Sequence, residues 1–407
     1  MKVALALVGL VWCACESDGG RDANEGTGGA PQTGGAAQTA GRDATGGRDA
    51  TGGRDATGGR DATGGRDATG GRDATGGRDA TGGGSSSDGT LAEQFPGDAG
   101  IADHDAVLFF DDFEDGWGRW DSPDADTRYL HLETDSTEAH AGERYLRSTV
   151  TRDDLDENEY ISAAPSFAFD RRVDAVYWRF HVRFPVIAPN PHHWIRVEAG
   201  DEDYSASGLA NTVPPGDRGF WFDFDIGNDD EFNFYTYWYK MRSGRCNDGS
   251  TTPGCAGDQG STYHYGNGFK PADQTPFERN EWFCVELAAG VNAVGESDGW
   301  LAFWVNEVAI GRYAPGEPEG TWLRDSFHEG GCDFSACTDP APFEGFDFRS
   351  APDVQFKRII LDAYYERGSS ADKRAALEAQ GLTLSDEQTI YYDDIVVATE
   401  RIGCRRP

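Results

Sequence analysis

The chain has 407 residues, 26% of them charged, and a formal net charge of −35. So acidic a balance excludes binding to nucleic acid through a general electrostatic field, which needs a basic surface. Large apolar and aromatic side chains are concentrated after residue 100, so only that part has the material for a sizeable core.

In chain order, Lys2 precedes a short apolar run, Val3–Val11, that stops at Cys13 and Cys15. One basic residue, a brief apolar segment, a small residue and a cysteine are what a secretory signal needs. The run is about half the length of a membrane-spanning helix, so it is not a transmembrane anchor. Residues 1–15 resemble a bacterial lipoprotein signal, in which the chain is cut before a cysteine whose thiol is then lipidated. Ala14 before Cys15 favours that cysteine over Cys13, which follows Trp12. The resemblance implies export and a lipid anchor at the bacterial outer membrane or cell surface. The alternative is an ordinary cleaved signal followed by a stray cysteine.

Residues 16–100 are rich in Gly, Ala, Thr, Asp and Arg. They include seven successive copies of Arg-Asp-Ala-Thr-Gly-Gly, starting at Arg42, Arg48, Arg54, Arg60, Arg66, Arg72 and Arg78. With almost no large apolar side chains, nothing offsets the entropy of ordering them, and a disordered tether is expected. A Gly-rich chain of this length spans roughly 50 Å root-mean-square.

Residues 101–407 read as one all-β domain, a two-sheet antiparallel jelly-roll sandwich. Strands are expected at 107–113, 175–184, 193–199, 219–226, 231–242, 282–288, 300–305, 355–365 and 389–398, all rich in aromatic and β-branched residues and separated by Gly, Pro and Asp clusters. One helix is expected, at 370–380, closed by Gly381.

Side chains alternate across a strand, so each segment presents two rows. Tyr177, Arg179, His181 and Arg183 form one row opposite Trp178, Phe180, Val182 and Phe184. Trp194, Arg196 and Glu198 oppose Ile195 and Val197. Trp221, Asp223 and Asp225 oppose Phe220, Phe222, Phe224 and Ile226. Asn233, Tyr235, Tyr237, Tyr239 and Met241 oppose Phe234 and Trp238. The second rows, built of Tyr, Trp, Arg, His and Asp rather than Ser, Thr and Lys, are expected to form a groove for sugar. Aromatic rings stack on its CH faces, and polar groups read its hydroxyls and carboxylates.

The domain holds six cysteines. An even number in an exported chain predicts disulfides. Cys246 and Cys255 bracket one loop and Cys332 and Cys337 another, leaving Cys284 to reach Cys404. The absence of a CxxC pair speaks against zinc fixed by these cysteines.

The segments Phe110-Asp-Asp-Phe-Glu-Asp-Gly116, 177–184, 281–286, 298–306 and Tyr391-Tyr-Asp-Asp-Ile-Val-Val397 together resemble the concanavalin A-like jelly rolls, in particular their polysaccharide-lyase branches. The likeness covers most of residues 105–402. The fold hosts lectins, glycanases and lyases alike. The retaining-glycanase strand Glu-x-Asp-x-x-Glu has its nearest counterpart in Asp223-Phe-Asp225-Ile-Gly-Asn228, which lacks both Glu residues.

The lyase resemblance implies removal of the C5 proton of a uronic acid while its carboxylate charge is met by positioned donors. Arg179, Arg183 or Arg196 would grip the carboxylate. His181, His192 or His193 would take the proton, and Tyr235, Tyr237 or Tyr239 would give one to the leaving oxygen. Tyr177, Trp194, Trp221, Asp223 and Asp225 would bind the chain. The same fold implies a structural Ca²⁺ between first and last strands, held by Asp111, Asp112 and Glu114 with Asp393 and Asp394. The expectation is a surface-anchored monomer that binds an extracellular polysaccharide and, in the lyase reading, cleaves it. The alternative is a structural or adhesion lipoprotein with a protein partner.

Overall fold

The computed structural model describes residues 89–405 apart from 118, 122–127, 202–203, 205–208, 228, 247, 252–256, 258–262 and 332–338. The expected signal, Cys15 and the tether up to residue 88 lie outside the described residues.

The strands, in chain order, are β1 Val107–Asp111, β2 Leu130–Thr134, β3 Arg144–Thr151, β4 Tyr160–Ala163, β5 Ser166–Val173, β6 Ala175–Arg183, β7 Ile195–Gly200, β8 Gly219–Ile226, β9 Phe232–Tyr237 and β10 Asn267–Lys270. They continue as β11 Phe283–Gly290, β12 Trp300–Val305, β13 Val308–Tyr313, β14 Glu319–Leu323, β15 Ser326–Glu329, β16 Ala341–Pro342, β17 Gln355–Ile360, β18 Ala363–Glu366 and β19 Glu387–Ala398. The helices are α1 Leu91–Gln94, α2 Arg152–Glu157 and α3 Arg367–Ala379.

Two large sheets form the expected antiparallel jelly-roll sandwich. One runs β13-β12-β11-β6-β19-β3-β2, with β1 paired to β19, so the first and last strands lie side by side. The other runs β16-β14-β15-β10-β9-β8-β7-β17-β5. Pairing is antiparallel except between β10 and β15. β4 and β18 make a small third sheet.

The period-two rows account for the core. Trp178, Phe180 and Val182 of β6 and Phe220, Phe222 and Phe224 of β8 turn inward and are fully buried. Phe303 of β12 meets Phe224 and Phe234 across the layers, at ring-centroid distances of 4.7 and 5.4 Å. Each such ring contributes about 1.5–3 kcal/mol by leaving water. A one-residue slip would turn the whole row outward, which pins the register.

Three boundaries differ from expectation. The segment 231–242 ends as a strand at Tyr237, and Trp238 then turns into the core with its Nε1 donating to Asn267. The segment 355–365 divides into β17 and β18, which belong to different sheets. Residues 89–100, expected to be tether, are part of the domain. Leu91 and Ile101 are buried against Val396, Ala398 and Ile402, and Ala92 N–H donates to the Ile402 carbonyl at 2.7 Å. Their Gly, Asp and Pro content reads as linker because Leu91 and Phe95 are the only large apolar residues among them.

This N-terminal segment and the C-terminal tail together cover the outer face of the sheet that contains β6. Arg179, fully buried, donates to Asp98 at 2.6 Å. Glu286 accepts from the backbone N–H groups of Ile402 and Gly403. The expected Cys284–Cys404 disulfide is formed and closes a sequence separation of 120 residues. Cys246 is disulfide-bonded, and Cys255, Cys332 and Cys337 lie outside the described residues.

Two stability outcomes are expected from thermal or denaturant unfolding. Cys404→Ser should cost about 2–5 kcal/mol by releasing a long loop in the unfolded chain. Asp98→Ala should cost about 3–5 kcal/mol, because Arg179 would be left charged and unpaired in the interior.

Candidate functional site

The outer face of the sheet containing β7, β8 and β9 gathers the chemistry. Register aligns Arg196, Asp223 and Tyr235 in one cross-strand row, and Glu198, Trp221 and Tyr237 in the next. His193 joins this face although it precedes Arg196 by three residues. It bridges backbone to backbone with Tyr364 before β7 begins at Ile195, and this breaks the alternation. Trp194, expected in the sugar-facing row, therefore swings into the core. There it stacks near Phe224 and Phe232, and its Nε1 donates to the Tyr392 hydroxyl at 2.7 Å.

His193 Nδ1 lies 3.1 Å from Asp223 Oδ2 and 3.5 Å from Asp225 Oδ2. Its ring sits 5.2 Å from that of Tyr235 and 5.7 Å from that of Tyr364. Arg196 donates through Nε to Asp223 at 3.0 Å, pairs with Asp362 at 2.6 Å, and stacks 4.3 Å over Trp221. Tyr237 stacks on Trp221 at 4.6 Å, and its hydroxyl hydrogen-bonds that of Tyr235.

These contacts set the proton affinities. Burial alone would depress His193, but the Asp225 and Asp223 carboxylates outweigh it and hold the imidazole above its ordinary 6.5. Burial pushes Asp223 up as well, against the pull of Arg196 and His193. Burial raises Tyr237 to about 12 and Tyr235 well above 10, so both are hydroxyl donors. Neighbouring His192 is pushed down to about 3 by burial and by the charge of His193, and stays neutral. Several shifted groups converging on one face mark a functional-site candidate.

The other expected site residues lie elsewhere. Tyr177, Arg179, His181 and Arg183 belong to β6, so their row faces outward from the opposite sheet. Tyr177 packs beside Leu91 and Ile101. Arg179 is spent on Asp98, and Arg183 on Glu138, Trp282 and Tyr391. Alternation told which residues share a strand face but not which sheet the strand joins. Tyr239 falls beyond the end of β9 and hydrogen-bonds Asp347. Two contributors escaped the sequence reading. Asp362 and Tyr364 sit in an apolar run that reads as one core strand, and the break between β17 and β18 turns them to this face.

Of the carboxylates expected to hold Ca²⁺, Asp111 accepts from Trp120 Nε1 and Phe113 N–H, both at 2.8 Å. Glu114 accepts from the Glu143 and Arg144 backbone N–H groups. Asp112 lies near Glu114 and Asp394, and Asp394 binds His140 and Arg405.

No family model matches the chain, and no curated protein does. Among solved structures, it is similar to alginate lyase vAL-1 from Chlorella virus at 11% identity and a TM-score of 0.43, covering 72% of this chain and 99% of that one. It is similar to the endo-β-1,4-glucuronan lyase of the fungus Trichoderma reesei at 11% identity and 0.39, covering 72% and 95%. The alginate lyase of Aplysia kurodai gives 14% and 0.36, covering 68% and 88%. Likeness at this level transfers no residue roles.

Asp223→Asn should lower the pKa of His193, since one of the two carboxylates that raise it is removed. An NMR titration of the imidazole nitrogens reads the shift, and a His193 pKa that does not fall would contradict the assigned contact.

Proposed function

We propose that this chain is an exported, lipid-anchored monomer whose sandwich binds an extracellular acidic polysaccharide across β7, β8 and β9 and cleaves it by β-elimination. The observation that carries this reading is the packing of His193 against Asp223, Asp225 and Tyr235 on one face. A proton-accepting imidazole, a phenol donor and stacking rings converge there within reach of one sugar unit. In this reading neutral His193 takes the C5 proton, the Tyr235 hydroxyl protonates the leaving oxygen, and Tyr364 stacks on a sugar ring. Asp223 and Asp225 orient the imidazole.

A second reading is binding without turnover, and one observation favours it. The charge of Arg196 is already met by Asp223 and Asp362, so this guanidinium brings no uncompensated positive charge to a uronate carboxylate.

The two readings separate on absorbance at about 235 nm with alginate, glucuronan, pectate and glycosaminoglycans, together with retention in affinity gels. A lyase generates the unsaturated chromophore. A binding module is retarded by one polymer and generates none, and neither signal would refute both. With turnover, His193→Ala and Tyr235→Phe should each lower kcat by about 10²–10⁴-fold, the usual contribution of a positioned acid or base.

The pH dependence has a definite sign. The base must be neutral, and the carboxylates hold the imidazole protonated to above 6.5. Thus kcat/KM should climb as pH rises through the folded-state pKa of His193. Activity that peaks below pH 6 would exclude His193 as the base.

A further inference from the structure

Among the described residues, two groups of His and Asp side chains offer ligand atoms that all lie within 4.8 Å of one another. One is His193 with Asp223 and Asp225. The other is His140, His181 and Asp394, on the outer face of the opposite sheet.

Three elements build the second group. β6 presents His181. β19 carries an irregularity between Asp393 and Val396, with Asp394 at φ 48°, and both aspartates are buried. The turn before β3 presents His140, whose own backbone N–H donates to Asp393 Oδ2 at 2.9 Å. The two imidazoles stack, with ring centroids 3.7 Å apart and planes 14° from parallel. His140 Nδ1 lies 2.5 Å from Asp394 Oδ2, and His181 Nδ1 lies 3.9 Å from the same oxygen. The His181 side chain is 3% exposed, and its Nδ1 has no hydrogen-bond partner. Leaving such a nitrogen unpaired in the interior costs about 1–3 kcal/mol.

We propose that His140, His181 and Asp394 form a binding site for a divalent transition-metal cation of the zinc type. Two imidazole nitrogens and one carboxylate oxygen suit zinc, whereas calcium takes oxygens alone. Arg405 donates to the other Asp394 oxygen at 2.6 Å and so orients the ligand oxygen toward the imidazoles. The cation would give His181 Nδ1 a partner and tie the His140 turn to β6 and β19.

The test uses the full chain, stripped with a chelator and titrated with Zn²⁺, Co²⁺ or Ca²⁺ alone. The readouts are bound metal by elemental analysis, the cobalt d–d spectrum and thermal unfolding. One Zn²⁺ per chain with a raised Tm is expected, with Zn²⁺ bound more tightly than Ca²⁺. His140→Ala and His181→Ala should each weaken zinc binding by more than about 100-fold, beyond the usual effect of altering only a ligand's hydrogen-bond partner. His193→Ala should leave it unchanged. His140 is partly exposed, so its variant remains informative if His181→Ala does not fold. Zinc binding that survives His140→Ala, is lost in His193→Ala, is weaker than calcium binding or does not occur would each overturn the proposal.

Discussion

Every strand of a sandwich surrenders one of its two rows to the core, and the rest of this structure follows from that constraint. The inward rows of β6, β8, β9 and β12 are apolar but for Thr236, and the Arg, His and Asp side chains of those strands turn outward. Outward then means one of two directions, separated by both sheets and the aromatic layer between them. Packed sheets lie about 10 Å apart, so side chains on the two outer faces cannot cooperate in one reaction. Two chemically rich surfaces result. One holds His193 with Tyr235 and Arg196, and the other holds His181 with Asp394 and Arg179.

The fold was legible because its signal is periodic. Alternating aromatic residues identified β6, β8 and β9, and the spacing of Cys284 and Cys404 anticipated the bond that now joins them. The candidate site was legible in composition but not in assembly. His181 and His193 look alike in sequence, each amid Arg and aromatic neighbours, yet pairing places them on opposite faces. Trp194 shows the second limit. A single bridge between His193 and Tyr364 shifts the phase of the strand, and periodic reasoning has no access to a contact made across 171 positions of chain. His140 shows the third. It lies in a turn without repeating pattern, and only the folded chain places its ring on that of His181.

The acidic composition takes on meaning at the level of individual contacts. Most buried carboxylates are matched: Asp98 by Arg179, Asp223 by Arg196 and His193, and Glu286 by two backbone N–H groups and Arg401. Pairing of this kind adds little net stability over apolar packing but is costly to break, so it selects one arrangement of the chain over its competitors.

The N-terminal segment packs against the outer face of the sheet that contains β6, with Leu91 and Asp98 as its anchors. The described chain therefore enters the domain at residue 89, on the side opposite His193. Tension applied through that entry would bear on α1, the Asp98–Arg179 pair and the disulfide-fixed C-terminal tail, all at the rear of the molecule. The face bearing Trp221, Tyr235 and His193 would carry none of that load.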